Sequence, residues 1–251
     1  PEYEHFKATV GSFLSMESLH FSGASVTLPH KQNLLRFVDE HGGAIEPLAA
    51  KIGAANTLTL PGGDVPMYAS NTDYAAALDG LCKVMGIGRA DLGGFRVAVI
   101  GSGGAARAIV AGLAHHGATV VIYNRTLQKA QTLADEFADS SGKVAAARLA
   151  KLCDSCCHAF INCTPVGMHP NVDATPMPLG PEGKTWQPGT VVFDTIYNPV
   201  ETRLLRDARA SGCLTLSGTE MFIRQAAAQF KLWTGHDAPA DFGQVVDDQL
   251  A

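Results

Sequence analysis

Val97-Ala98-Val99-Ile100-Gly101-Ser102-Gly103-Gly104-Ala105-Ala106 runs from a β-branched stretch through a glycine turn into a helix start. Each small residue in it has a mechanical reason. Gly101 permits a tight turn, Gly103 lets backbone N–H groups approach a pyrophosphate at the positive end of a helix, and Ala106 lets helix and strand pack closely. Alone, the GxGxxA spacing is a weak signal that a plain strand-turn-helix junction also satisfies. Inside a repeated βα pattern it reads as a dinucleotide site.

That repeated pattern is present on the carboxyl side. A strand over residues 95–100 is followed by a helix over 105–116 that Gly117 ends, a strand over 119–123 and a helix over 127–137. Further strands are expected at 159–162, 191–194 and 214–216, with a helix at 201–211 between the last two. Strands alternating with helices at this spacing imply an α/β fold of the Rossmann type, a doubly wound parallel sheet. On the amino side the rhythm differs. A strand at 25–28, a helix at 31–41 with Leu34, Leu35 and Val38 inward, and a hairpin of 55–60 with 66–70 around Pro61-Gly62-Gly63-Asp64 suggest a smaller α/β unit. Asn71-Thr72-Asp73 is an N-cap signal for a helix at 74–85 ended by Gly86, and 219–234 reads as a long final helix. The expected domains are therefore 1–72, completed by 219–251, and 73–218, with ligands in the cleft between them.

The 251 residues suffice for this arrangement, since size scaling predicts burial of about 70% of the chain's surface on folding. Hydrophobic residues at 46% and charged ones at 17% exclude a disordered polyelectrolyte, and no apolar run is long enough for a membrane span. With 19 basic against 24 acidic residues and no basic block, nucleic-acid binding is not expected. The 26 glycines cluster: Gly101, Gly103 and Gly104 around the phosphate loop, Gly42, Gly86, Gly117 and Gly212 at helix ends. Six cysteines form no disulfide framework in a chain of this size. Cys153, Cys156 and Cys157 beside His158 lack a second ligand pair at finger-like spacing, so no metal is expected, and reduced thiols in a cytoplasmic setting are the default. The chain opens at Pro1 without a basic or apolar leader and reads as an interior piece, which keeps a plastid location open for a plant-type precursor.

The end of the second strand chooses the nucleotide. An NAD site places Asp or Glu there to hold the ribose 2′-hydroxyl, whereas this strand ends in Asn124-Arg125-Thr126. Arg125 can pair with a 2′-phosphate and Thr126 can donate to it, which favours NADP. Outside this domain, Lys31 falls in the first turn of its helix, where the dipole disfavours an ammonium and eases release of its proton. Asp73, also at a helix start, stays ionised in the same kind of field, and the two would tune one another if they met. As plain structure, each is a surface residue or a cap. Thr27, Asn56 and Thr72 stand at strand ends as short polar groups able to orient hydroxyls, or simply as turn residues. Gln225 shares a face of the final helix with Met221, beside an apolar stripe of Phe222, Ala226 and Phe230.

Taken together, six ordered segments resemble the shikimate dehydrogenase family. They are Ser25-Val26-Thr27-Leu28-Pro29-His30-Lys31, Ala54-Ala55-Asn56-Thr57, Asn71-Thr72-Asp73, Gly101-Ser102-Gly103-Gly104-Ala105, Asn124-Arg125-Thr126 and Gly218-Thr219-Glu220-Met221-Phe222-Ile223-Arg224-Gln225-Ala226-Ala227. The ending looks most like the dehydrogenase part of bifunctional dehydroquinate dehydratase/shikimate dehydrogenases, which implies a fused dehydratase domain upstream. The resemblance implies reduction of 3-dehydroshikimate to shikimate with NADPH, in the route to chorismate and the aromatic amino acids. By the same resemblance Lys31 is the acid and base at the C3 oxygen and Asp73 its partner. Thr27, Asn56, Gln225 and Tyr197 hold the substrate. Gly101, Ser102, Gly103, Gly104, Ala105, Asn124, Arg125 and Thr126 hold NADP, and Thr164 and Met168 lie along the nicotinamide. One departure stands out: family members begin with a strand and a Ser-x-Ser loop that binds the substrate carboxylate, and nothing here corresponds to it. On that expectation the first domain is incomplete and handles shikimate poorly by itself. Quinate dehydrogenase and a non-catalytic quinate-responsive sensor of the same ancestry remain as alternatives.

Overall fold

The structure, a computed structural model, describes residues 2–27, 29–154, 157–177 and 186–245. Leu28 of the first expected strand and Cys156 of the cysteine cluster lie outside them. The chain divides into two compact units, Pro1–Asp73 with Gln225–Pro239, and Tyr74–Arg224 with Ala240–Ala251.

The first unit opens with α1 (Glu2–Ser15), an element absent from the expected pattern. Its buried residues Tyr3, Phe6 and Val10 recur at helical spacing, but polar neighbours and Gly11 mask the stripe. Strand β1 (Gly23–Ser25) lies earlier than the expected 25–28. It ends at Ser25 because the chain turns at once toward the next helix: Val26 N–H donates to the Asn56 carbonyl, His30 N–H closes on the Thr27 carbonyl, and Pro29 has no donor to give a ladder. Helix α2 (Lys31–Glu40) buries Leu34, Phe37 and Val38, whereas Leu35 is only partly covered. Then come β2 (Ala44–Ile45), α3 (Pro47–Ile52), β3 (Thr57–Thr59) and β4 (Tyr68–Ser70).

The sheet order is β1-β3-β4-β2, with β3 and β4 antiparallel in the register Thr57↔Ser70, Leu58↔Ala69 and Thr59↔Tyr68. Apolar residues of α1 and α2 close its core with Ala49, Leu58 and Ala69. Trp233, from the last helix, donates its indole N–H to the Leu58 carbonyl at 2.9 Å. The ring lies where a Cβ on Gly23 would stand, so glycine is required in that strand.

The second unit carries α4 (Thr72–Met85), β5 (Arg96–Ile100), α5 (Gly104–His115), β6 (Thr119–Asn124), α6 (Leu127–Glu136) and β7 (Lys143–Arg148). It continues through β8 (Ala159–Asn162), β9 (Val191–Asp194), α7 (Arg203–Ala210), β10 (Leu214–Leu216) and the start of α8 (Gly218–Thr234), which from Gln225 onward belongs to the first unit. Helices α4 and α8 each begin one or two residues earlier than the pattern suggested, within the ordinary imprecision of helix ends. The six strands are parallel in the order β10-β9-β8-β5-β6-β7. Strand order reverses at β5, which pairs with β6 on one side and β8 on the other. Connections from these strands diverge to opposite faces and leave a crevice at their carboxyl ends. Strand β7 was outside the expected pattern, because three consecutive alanines carry little strand preference; pairing along its full length with β6 forms it. Ala98, Ile100, Val121, Phe160 and Val192 pack on Leu204, Leu205 and Ala208 of α7. Burial pushes the thiols of Cys82 and Cys213 up, and that of Cys163 further, with the nearby Asp194 carboxylate adding to the effect. No described helix is long and apolar enough to cross a membrane.

Helix α1 is pinned to α2 through Glu40. Its carboxylate accepts from Lys7 Nζ at 2.7 Å, the Tyr3 hydroxyl at 2.6 Å and Arg36 Nε at 2.8 Å, and the Arg36 guanidinium lies over the Tyr3 ring. The hydrogen bonds from Lys7 and Tyr3 hold Glu40 down to about 2, while burial and Glu40 push the Tyr3 hydroxyl up to about 12. Because the folded value of Glu40 lies below its ordinary 4.5, its contribution is whole above that value and is lost as pH falls through about 2. Glu40→Gln is expected to flatten this part of the acid limb when unfolding midpoints are compared between about pH 5 and pH 2.

Candidate active site

A compact polar cluster occupies the first unit where β3, β4 and the start of α4 meet. Asn56 is its centre. Its side-chain oxygen accepts the backbone N–H of Thr72 at 2.8 Å and the Thr57 hydroxyl at 2.8 Å, which fixes the orientation of the amide. The amide nitrogen therefore faces Asp73 Oδ1 at 2.9 Å and Thr72 Oγ1 at 3.0 Å, with Gln225 Oε1 at 3.3 Å. The other Asp73 oxygen receives Lys31 Nζ at 2.6 Å. Asp73 sits in the first turn of α4, and its N–H is capped by the Asn71 side chain at 3.0 Å, so the helix start holds the carboxylate in place. Lys31, the first residue of α2, keeps a quarter of its side chain exposed while Asp73 is nearly enclosed. The pair is thus a fixed anion carrying a reachable ammonium. Chemically it can deliver a proton to an oxygen beside it, or accept one back.

Lys31, Asn56, Thr72, Asp73 and Gln225 accordingly meet in one hydrogen-bonded group. Thr27 is exposed in the turn before α2, and its side chain has no hydrogen bond to the cluster. Gln229 belongs to the group although the sequence reading did not single it out. Its amide nitrogen donates to Thr57 Oγ1 at 3.0 Å, Ser25 Oγ at 3.2 Å and the Asn56 carbonyl at 3.3 Å. The signal was available, since it lies one helical turn beyond Gln225 on the same face.

The second unit presents the glycine loop at the carboxyl end of β5. Gly101 has φ of 108°, and a Cβ there would meet Thr164 Cγ2 at 3.0 Å and the Cys163 carbonyl oxygen at 3.1 Å, so both conformation and space demand glycine. Gly103 and Gly104 open into free space, and no side chain caps the first N–H groups of α5. Those donors are left for a ligand anion. At the end of β6, Asn124 Nδ2 donates to Ser102 Oγ and to the Thr126 carbonyl, each at 3.1 Å, which ties the two loops together. Arg125 and Thr126 are exposed, and Thr126 makes no capping bond to α6. An uncapped helix start, open glycines and a strand end without a carboxylate fit a dinucleotide that carries a 2′-phosphate.

Beside this edge the loop after β8 is ordered by a buried carboxylate. Asp194 accepts from Asn162 Nδ2 at 3.0 Å, the Thr202 hydroxyl at 2.7 Å and the Ile196 N–H at 3.2 Å. Asn162 Oδ1 in turn receives the N–H and hydroxyl of Thr164 at 3.0 and 2.7 Å. One group thus sets the exits of β8 and β9 and the N-cap of α7. Burial pushes the Asp194 carboxyl up, against the opposing pull of these donors. Met168 and Tyr197 are exposed on the loops it organises, and the Tyr197 ring stacks on Phe222 with centroids 5.6 Å apart. Among the described residues no His, Cys, Asp and Glu group has the geometry of a metal site.

Family models match three segments: the shikimate dehydrogenase substrate binding domain over residues 2–58, shikimate / quinate 5-dehydrogenase over 86–164, and the shikimate 5′-dehydrogenase C-terminal domain over 218–242. A shikimate dehydrogenase (NADP(+)) of Methanosarcina mazei is 40% identical over 237 residues, covering 92% of this chain and 79% of its own. The chain belongs to the shikimate dehydrogenase family. The chloroplastic bifunctional 3-dehydroquinate dehydratase/shikimate dehydrogenase of Arabidopsis thaliana is 37% identical over 92% of this chain but only 38% of its own. The archaeal relative is thus somewhat more alike than the bifunctional one. The shikimate dehydrogenase of Thermus thermophilus, solved with NADP(H) and shikimate, matches with a TM-score of 0.75 at 30% identity, covering 92% of this chain and 80% of that one.

The three groups around Asp194 are all donors, so an amide in its place must turn an NH2 toward one of them. Asp194→Asn is expected to lower stability by about 1–3 kcal/mol, measured by urea unfolding.

Proposed function

We propose that this protein catalyses the NADPH-dependent reduction of 3-dehydroshikimate to shikimate, a step toward chorismate and the aromatic amino acids. The observation that carries the reading is the Lys31–Asp73 pair, set at 2.6 Å and fixed by the Asn56 amide, in a chain of this family. Bound NADPH supplies a hydride for the C3 carbonyl carbon. Lys31 donates a proton to the C3 oxygen as negative charge develops there, and Asp73 keeps the ammonium aimed and balances its charge. In the reverse direction Lys31, neutral, takes the hydroxyl proton. Thr27, Asn56, Gln225 and Tyr197 hold the ring substituents. Asn56 and Gln225 are supported in this role by their place in the Lys31–Asp73 cluster, and Tyr197 by its exposed ring.

The uncapped start of α5 with Gly101, Ser102, Gly103, Gly104 and Ala105 receives the pyrophosphate, and Asn124, Arg125 and Thr126 receive the ribose and its 2′-phosphate. Thr164, oriented by Asn162, and Met168 line the nicotinamide side. A fused dehydratase ahead of this chain is supported by the likeness to the plant enzyme. Free cysteines at 82, 157, 163 and 213 support a reducing compartment such as the cytoplasm or a plastid stroma.

NADPH consumption followed at 340 nm with 3-dehydroshikimate, and with quinate and NADP+ in the reverse direction, tests the assignment. Lys31→Ala is expected to lower kcat about 10²–10⁴-fold while NADPH binding is retained. Turnover surviving that substitution would remove Lys31 from its role.

A further inference from the structure

The basic side chains of this protein are, for the most part, neutralised: Arg36 by Glu40, Arg89 by Asp79, Arg107 by Glu136 and Arg224 by Glu220. Among the described lysines and arginines, five side chains have neither an ion pair nor a hydrogen bond: Arg96, Lys143, Arg125, Lys129 and Arg148. Their placement is not even. Arg96 and Lys143 open β5 and β7, at the amino end of the parallel sheet. The other three gather at the carboxyl end, where the glycine loop lies.

The register brings them together. Arg148, the last residue of β7, pairs directly with Asn124, the last residue of β6, so their backbones lie about 4.8 Å apart across the ladder. Arg125 follows Asn124, and Lys129 stands one turn into α6, its N–H bonded to the Thr126 carbonyl. The two acids of α6, in its last turn, are engaged elsewhere: Asp135 accepts from Gln131, and Glu136 pairs with Arg107. In a chain of net charge −5, three cations at one end of the sheet, none with an ion pair, favour an anion there.

We propose that Arg148 is a third cationic contact for the 2′-phosphate of the nucleotide, acting with Arg125 and Lys129, and so sets the preference for NADP over NAD. The inference rests on the NADP reading above. Order along the sheet gives the assignment: the pyrophosphate belongs to the loop after β5, the ribose to the end of β6, and the next strand over ends in Arg148. A guanidinium there offers a planar pair of donors to a doubly charged phosphate, and its exposure leaves it free to turn toward one.

The test is calorimetric titration of the protein with adenosine 2′,5′-bisphosphate and with adenosine 5′-monophosphate, which needs no catalysis. The wild type is expected to bind the bisphosphate more tightly. Arg148→Ala should weaken the bisphosphate about tenfold and the monophosphate less than twofold, with Arg148→Lys between, since it keeps the charge and loses the fork. Exposure of Arg148 predicts unchanged unfolding midpoints in both variants. Equal loss for the two ligands would make Arg148 an adenine contact and overturn the proposal, as would no loss alongside a selective loss in Arg125→Ala. A wild type indifferent to the 2′-phosphate would remove the NADP reading itself, and this proposal with it.

Discussion

A primary amide offers an acceptor on one side and donors on the other, and Asn56 uses both. Its oxygen is claimed by the Thr72 N–H, one of the donors at the start of a helix that have no acceptor within it. The nitrogen is thereby committed to Asp73, and the Asp73 carboxylate to Lys31. The geometry of the proton donor is thus inherited from a backbone hydrogen bond at one remove. This is a stiffer arrangement than two long side chains pairing across solvent, which contributes little because both must be immobilised for it. Gln225 and Gln229 extend the same logic: Gln225 accepts from the Asn56 amide, and Gln229 donates to the Asn56 carbonyl and to the Thr57 hydroxyl on the rim of β3.

In the other unit a different constraint plays the equivalent part. The loop after β5 lies so close to the loop after β8 that Gly101 has no room for a side chain, and the second loop is itself fixed from beneath by Asn162 and Asp194. A buried carboxylate is costly unless it is satisfied on several sides. Here the donors come from three separate elements, so that cost is offset by a single relative placement of two strand exits and a helix start. Exposed groups such as Met168 and Tyr197 then ride on a framework that has little freedom to drift.

How far this was legible in the chain depended on the kind of signal. The parallel sheet was readable because buried strands of valine and isoleucine separated by helical segments leave few other solutions. Strand β7 was not, since alanine carries no strand preference and only pairing with β6 makes it a strand. Helix α1 escaped for a related reason: its apolar stripe is three residues wide and interrupted by polar ones. For the site, residue types at helix starts suggested Lys31 and Asp73, but local pattern gave no reason for them to touch. Their meeting is long-range, over 42 positions, and came from the family resemblance rather than from periodicity. Asp194 was read only as a strand end, because its donors are recruited from loops whose packing no local rule predicts.

The raised thiols have a consequence for handling the molecule. Cysteine reacts as the thiolate, and burial at Cys82, Cys163 and Cys213 withholds that form. Electrophiles and oxidants at neutral pH are therefore expected to react slowly with these three sulfurs while the parallel sheet and its helices stay packed. Their alkylation becomes a clock for opening of the nucleotide-side unit, built into the chain without any added label.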